Sequence, residues 1–163
     1  MTFRSVIKMM KYVLLFILAI FTTSCRSQIA NAEFETLSLQ KTPCRGFCPV
    51  YKLTLKKDGT ATLNGERYYF EKMDNPQAAG IYHSQISKEK AHLINTLVKN
   101  FKETPTEEKY KDARTDMSSY YLNVTFTDGT TKKVNVYGKT EVKAIHNLYK
   151  ELDQLRNSEN WKK

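Results

Sequence analysis

Apolar and polar residues alternate in several short segments of the chain, the pattern of β-strands that bury one face. Asp58-Gly59 and Asp128-Gly129 each lie between two such segments. Glycine readily adopts the backbone conformation that a tight hairpin turn requires, so each Asp-Gly step predicts a β-hairpin. The segments are residues 34–39, 50–55, 60–63, 120–127 and 131–137.

The first hairpin is predicted to continue into a three-stranded antiparallel meander over residues 50–72. Asn64-Gly65 is a second hairpin signal, and residues 66–72 follow it with aromatic side chains on both faces. Residues 80–86 predict a further short strand. Residues 103–117 are polar, show no regular period and are expected to wrap around an edge of the sheet.

Two later segments place apolar residues at the spacing of a helix with one buried stripe. Ser87 is a suitable N-cap for the first helix, which ends near residue 102, and Thr140 for the second. An antiparallel sheet needs a cover on only one face. The chain therefore predicts an α+β fold, an antiparallel sheet of about five to six strands with two amphipathic helices packed on one face. The stripes are Ala91, Ile94, Leu97, Val98 and Phe101, then Val142, Ile145, Tyr149 and Leu152.

The first 24 residues have the composition of an export signal. Three basic residues precede an apolar run over residues 12–21, which is shorter than the about 20 residues that a membrane-spanning helix needs. Ser24-Cys25 follows and resembles the lipobox of bacterial lipoproteins, with Thr22 where the common pattern has leucine. The resemblance implies cleavage before Cys25 and lipidation of that residue, palmitate included. An ordinary secretory signal or an N-terminal membrane anchor is the alternative.

Without residues 1–24, the 163-residue chain keeps a length typical of one domain. We expect a lipidated tether over residues 25–33, a single α+β domain over residues 34–156 and a frayed tail over residues 157–163. The shortened chain has 23 basic and 17 acidic residues, a net charge of +6. Because the two signs are interspersed and export is predicted, we interpret the basic residues as a solvated surface and expect no nucleic-acid partner.

Cysteine, proline and glycine residues are concentrated in the segment Thr42-Pro43-Cys44-Arg45-Gly46-Phe47-Cys48-Pro49-Val50-Tyr51. With Cys25 assigned to lipid, Cys44 and Cys48 remain as a pair in a compartment where disulfides persist. The favoured interpretation is a disulfide that closes a five-residue loop, with Arg45 and Phe47 as candidate binding residues at its tip. A redox-active dithiol and a metal site remain open. The dithiol would lack the usual two-residue spacing and helix N-terminus, and the metal would need further ligands from His83, His92 or His146.

The sequence contains no glycine-rich phosphate loop, no G-x-S-x-G and no His-Glu-x-x-His. We therefore predict no catalytic residues, no cofactor and no metal, and the alternatives at the cysteine pair leave the enzyme question open. Tyrosines are frequent in the predicted strands, where most of them pack. Tyr69 and Tyr121 lie on the faces opposite the apolar positions and are candidates for an exposed patch that binds a protein or a glycan.

The signature T-x-C-x-G-x-C-P-x-Y, with a strand and Asp58-Gly59 after it, resembles a domain of unknown function in exported, lipoprotein-like proteins of Bacteroidetes-type bacteria. The likeness covers residues 34–156. Arg45 departs from it, because an aromatic residue is more usual there, and this argues against a purely apolar role for the side chain. The family has no assigned activity, so the likeness bears on location and domain extent and adds nothing on chemistry.

Together these observations predict a lipid-anchored cell-envelope protein that is a non-enzymatic binding or interaction module. The expected location is a membrane of the bacterial envelope, with the outer membrane favoured and the domain facing the periplasm or the exterior. The predicted partners are the membrane, through the lipid, and an envelope protein or glycan. The alternative is a thiol-redox or metal-dependent activity centred on Cys44 and Cys48.

Overall fold

A computed structural model describes residues 32–67 and 79–163 of the chain. Seven strands and two helices lie in these ranges, which confirms the predicted α+β class. The strands are β1 (Phe34–Lys41), β2 (Val50–Lys56), β3 (Thr60–Arg67), β4 (Gly80–Gln85), β5 (Lys109–Lys111), β6 (Ser119–Phe126) and β7 (Thr131–Tyr137). The helices are α1 (Lys88–Glu103), between β4 and β5, and α2 (Lys143–Ser158), after β7.

The described strands form one mixed sheet in the order β4-β3-β2-β1-β6-β7-β5. Five neighbouring pairs are antiparallel, but β5 and β7 run parallel. The prediction of five to six strands, all antiparallel, is therefore wrong. The unexpected strand, β5, has only three residues, too few for alternation to reveal. It is held at the sheet edge by backbone hydrogen bonds, among them Asn135 N–H to the Glu108 carbonyl at 2.8 Å.

The hairpin turn predicted at Asn64-Gly65 is also wrong, because β3 continues through both residues. Asn64 pairs with Lys52 of β2 on one side and with Ile81 of β4 on the other. Two flanking hydrogen-bonded ladders outweigh the local turn preference of an Asn-Gly step, which is a weak signal when tertiary pairing opposes it. Most of the predicted third strand, residues 66–72, lies outside the described residues.

One face of the sheet carries the apolar residues, and both helices pack against it. Register places Leu39 of β1 between Leu53 of β2 and Leu122 of β6, and all three are buried. The helices contribute their apolar stripes to the same core, through Ala91, Ile94, Val98, Phe101, Ile145, Leu148, Leu152 and Leu155. The other side of the sheet, which we call the open face, is polar and carries Ser38, Gln40, Lys52, Thr54, Thr62, Asn64, Tyr121, Asn123, Lys133 and Asn135.

The helix ends follow the expected capping chemistry only in part. Ser87 is the N-cap of α1, and its hydroxyl accepts a hydrogen bond from Lys90 N–H at 3.3 Å. The prediction of Thr140 as the N-cap of α2 is wrong, because the N-cap is Val142. The Thr140 hydroxyl accepts from Val142 N–H at 3.2 Å and so fixes the turn that leads into the helix.

A lysine of the sheet stabilises the C-terminal end of α1. The Lys132 ammonium of β7 donates to the carbonyl oxygens of Phe101 at 2.7 Å and Thr104 at 2.6 Å. These carbonyls have no partner within the helix, and a cation is favourable at this end of the helix dipole. Burial lowers the pKa of Lys132.

The C-terminal residues, predicted to form a frayed tail, bond to the edge of the sheet. The backbone of Lys162 pairs with His83 of β4 in both directions, at 2.7 and 2.9 Å. The Trp161 indole donates to the Arg156 carbonyl at 3.1 Å. The outer edge of β4 gives this segment unpaired backbone groups to bond with, a partner that no local sequence pattern reveals.

A buried cluster around Tyr51 joins β2 to α2. The Tyr51 hydroxyl donates a hydrogen bond to the Asp153 carboxylate, which also lies 3.6 Å from Lys41 Nζ and 3.3 Å from Arg156 Nε. Arg156 is buried, with its guanidinium over the Tyr51 ring. Burial and the adjacent carboxylate raise the pKa of Tyr51 far above its ordinary value, so the hydroxyl keeps its proton and remains a donor.

No helix in the described part of the chain is both long and apolar enough to cross a membrane.

We predict that Tyr51→Phe lowers the free energy of unfolding by about 1.5–3 kcal/mol, the range for a hydrogen bond to a charged group. Chemical denaturation monitored by circular dichroism measures this loss. Tyr110→Phe is the matched control, because the Tyr110 hydroxyl accepts its bond from Glu107 N–H at an exposed position. The control should change stability by less than about 0.5 kcal/mol. Equal losses in the two variants would contradict a special role for Tyr51.

Candidate functional site

Residues 42–49, which we call the Cys loop, connect β1 to β2. Cys44 and Cys48 lie at disulfide-bonding distance, with their Cα atoms 5.7 Å apart. Between them Gly46 has φ 141°, which disfavours any residue with a Cβ, and its N–H donates to the Cys44 carbonyl at 3.0 Å. Closing so small a ring stabilises the fold by only roughly 2 kcal/mol. The pair therefore restricts the shape of the loop more than it stabilises the domain.

Thr42 fixes the base of the Cys loop to β6. Its N–H donates to the Ser119 carbonyl at 3.0 Å, and its hydroxyl accepts from Ser119 N–H at 2.9 Å. The side chain thus replaces a backbone acceptor and extends the pairing of β1 with β6 by one residue. Tyr51, at the other end of the signature segment, is anchored to Asp153 of α2. Both ends of the Cys loop are therefore attached to the core.

A second loop, residues 112–118, lies against the Cys loop. Arg45 N–H donates to the Asp116 carbonyl at 3.4 Å, and the two side chains form an exposed ion pair at 3.6 Å. Asp116 has φ 62°, the left-handed region that few residues other than glycine adopt. Exposed ion pairs contribute little stability, so this contact orients Arg45 more than it strengthens the fold.

Two contacts of Asp112 fix the base of the second loop. Arg114 forms an ion pair with Asp112 and holds the pKa of that carboxyl well below its ordinary range. Gly138, at the end of β7, has φ 78°, and a Cβ there would lie 2.6 Å from Asp112 Cβ. Only glycine fits this approach, which fixes the second loop beside the end of β7.

The predicted binding residues that the structure describes lie in two different places. Arg45 and Phe47 lie at the tip of the Cys loop, where the Arg45 side chain is 84% exposed and Phe47 is 85% exposed. Tyr121 is half-buried on the open face, between Gln40 of β1 and Asn135 of β7. Tyr69 and the predicted lipidation residue Cys25 lie outside the described residues.

The surroundings of the cysteine pair offer little for redox or metal chemistry. Strand β2 begins immediately after Pro49, so the cysteine pair does not lie at the start of a helix, where redox-active pairs are usually found. Across residues 32–67 and 79–163, no three side chains of His, Cys, Asp and Glu converge at metal-binding distance. Of the three histidines, His83 lies on the open face of β4, whereas His92 and His146 are exposed on the two helices.

Sequence reasoning missed two arrangements. The first is the Tyr51–Asp153 cluster. A signal was present, because Arg156 lies seven residues after Tyr149 and so falls on the apolar stripe of α2, where a charged residue needs a partner. The second arrangement is a cleft of about 190 Å³ on the open face, beside β5. We call it the open-face cleft, and it is lined by Glu108, Lys109, Tyr121, Asn123, Lys133, Val134 and Asn135.

A further cleft, of about 240 Å³, lies at the start of α2. Lys139, Thr140, Glu141, Lys143 and His146 line it. These side chains lie at the surface, and Thr140 is already bonded to Val142 N–H. This cleft therefore carries fewer groups poised for a ligand than the open-face cleft does.

Comparison with known proteins identifies the domain but no activity. Searches of curated proteins and of solved structures returned no match. The sequence model of one protein family, described as Domain of unknown function (DUF6438), matches residues 35–156. This range runs from β1 almost to the end of α2 and includes both the Cys loop and the open-face cleft. The chain therefore belongs to the DUF6438 family, a family defined by a domain of unknown function.

Proposed function

We propose that this protein is a non-enzymatic binding module of the cell envelope, and that the tip of its Cys loop docks onto a partner protein. The observation that carries the proposal is the exposure of Phe47, the most exposed large apolar side chain in the described ranges. Phe47 lies outside the hydrophobic core. It would gain about 1.5–3 kcal/mol on burial against a partner.

The composition of the tip suits a protein partner. Aromatic residues and arginine are enriched at the centres of protein interfaces, where a few side chains contribute most of the affinity. Phe47 and Arg45 supply one of each, two residues apart. Arg45 keeps its guanidinium at the surface beside Asp116, from where it can pair with a carboxylate of the partner.

The limited motion of the Cys loop also supports a docking role for its tip. Binding is weakened by the entropy of ordering a flexible segment, and a segment already held in its bound shape avoids that cost. The cysteine pair, the Thr42–Ser119 hydrogen bonds and the Asp116 contact all limit the motion of the tip. The Cys loop therefore holds Arg45 and Phe47 in position before a partner binds.

We further propose that a lipid on Cys25 anchors the protein to a membrane of the bacterial envelope, the outer membrane being favoured. Support comes from the basic residues, the apolar run and Ser24-Cys25 at the start of the chain. Residues 25–33 would then tether the lipid to β1. The domain would face the periplasm or the exterior, within reach of envelope proteins and glycans.

A photo-crosslinking amino acid at position 47 should give a discrete adduct with one partner protein in cells that produce the protein natively, because the tip is predicted to be buried in the interface. Mass spectrometry of the adduct identifies the partner and its compartment. The same substitution at Leu93, an exposed position on α1, is the matched control and should give none. Equal labelling at both positions, or no adduct at position 47, would count against the proposal.

Cys25→Ala should release the protein from the membrane fraction into the soluble fraction, since the predicted lipid is its anchor. Cell fractionation followed by immunoblotting measures the change. Cys44→Ser together with Cys48→Ser is the control, because these thiols lie in the folded domain and should leave membrane retention intact. Retention of the Cys25→Ala protein in the membrane would overturn the lipid proposal and leave the Cys loop proposal standing.

A further inference from the structure

The open-face cleft lies on the opposite side of the sheet from the helices, where β5, β7 and β6 run side by side. We propose that it binds an acidic carbohydrate, a sugar ring that carries a carboxylate. This site is separate from the tip of the Cys loop and does not depend on the function proposed for it. Four features support this assignment: a buried amide oxygen without a partner, a ring beside it, ammonium groups without an ion pair and the size of the cleft.

Asn135 supplies the first observation in favour of a ligand at this cleft. Its side-chain oxygen Oδ1 is buried and accepts no hydrogen bond within the described ranges. Leaving a buried polar atom unsatisfied costs about 1–3 kcal/mol, so such an atom calls for an explanation. The terminal torsion of asparagine is broad, and a rotation about it can turn the oxygen toward the cleft that Asn135 lines. A sugar hydroxyl there would supply the missing donor.

Tyr121 and Asn123 complete a block of side chains around this amide. In the register of β6 and β7, Tyr121 lies directly opposite Asn135, and Asn123 lies directly opposite Lys133. Paired residues on one face of a sheet have their Cβ atoms about 4.5–5.5 Å apart. An aromatic ring between two amides is suited to a pyranose, whose apolar face stacks on the ring while its hydroxyls bond to the amides.

The charges around the cleft favour an acidic sugar over a neutral one. Lys109 and Lys133 both line it, and neither ammonium forms an ion pair in the part of the chain that the structure describes. Glu108 also lines the cleft, and its carboxylate can accept bonds from sugar hydroxyls. Two cations against one anion leave a net positive site, which complements a carboxylate on the ring.

The dimensions fit one sugar unit. A volume of about 190 Å³ is the space of about six water molecules, enough for a single ring and too little for an oligosaccharide. The cleft is built mainly on strands, which hold side chains more firmly than loops do. A longer glycan would place one ring in the cleft and continue across the polar residues of the open face.

Isothermal titration calorimetry with tetragalacturonate as the acidic probe and maltotetraose as the neutral probe tests the proposal. We expect saturable binding of tetragalacturonate at about 1 mM or tighter and at least about tenfold weaker binding of maltotetraose. Lys133→Gln should weaken tetragalacturonate binding by about tenfold. Lys99→Gln is the matched control, an exposed lysine of α1 on the opposite side of the sheet, and should change it by less than about twofold.

Asn135→Leu separates a ligand-binding role from a structural one. An amide that serves only a ligand can be replaced by an apolar side chain of similar size without loss of stability. We expect an unchanged or higher unfolding temperature together with binding at least about tenfold weaker. A lower unfolding temperature with unchanged binding would overturn the role given to Asn135.

Three results would overturn the proposal as a whole. The first is no binding of tetragalacturonate, and the second is equal binding of the two probes. The third is binding that Lys133→Gln and Tyr121→Ala leave unchanged.

Oligoglutamate serves as a charged probe without a sugar ring. If it binds as tightly as tetragalacturonate and is insensitive to Tyr121→Ala, the cleft recognises charge alone and the carbohydrate assignment fails.

Discussion

The hydrogen bond from Tyr51 to Asp153 is the constraint that ties the signature segment to the helical layer. It connects the first residues of β2 to the last turns of α2, which are 102 positions apart in the chain. Lys41 and Arg156 flank the partly buried carboxylate and compensate its charge. Because Tyr51 ends the signature segment, the same bond holds one side of the Cys loop against the core.

The molecule has one covered side, where the helices and the sheet form the core, and two accessible regions, the open face and the Cys loop. Both helices lie over one face of the sheet and supply the core with their apolar stripes. The opposite face needs no cover, since its side chains are polar, and it is free to carry the open-face cleft. The Cys loop and the second loop lie together at one end of the sheet. A ligand on the face and a partner at the end could therefore bind at the same time.

How far the sequence predicts this structure depends on whether a feature is local. Alternation and helical stripes locate β1, β2, β6, β7 and both helices, and cysteine spacing indicates the pair that the structure places at bonding distance. Features that rest on distant partners do not show in a local pattern. Pairing with β4 keeps Asn64 in a strand. Strand β5 is too short to produce a recognisable sequence pattern. Lys162 bonds to His83, which lies 79 residues earlier in the chain. The open-face cleft needs the register of three strands, so only Tyr121 among its residues could be proposed beforehand.

The docking role proposed for the Cys loop requires that it be a rigid support for Arg45 and Phe47. Backbone ¹⁵N relaxation of the oxidised protein measures this directly at Arg45, Gly46 and Phe47. A rigid tip should give order parameters close to about 0.85, the value of a rigid backbone and the level expected for neighbouring β2. Values below about 0.6 would mean a flexible tip that neither the cysteine pair nor its contacts hold in place, and would contradict the account.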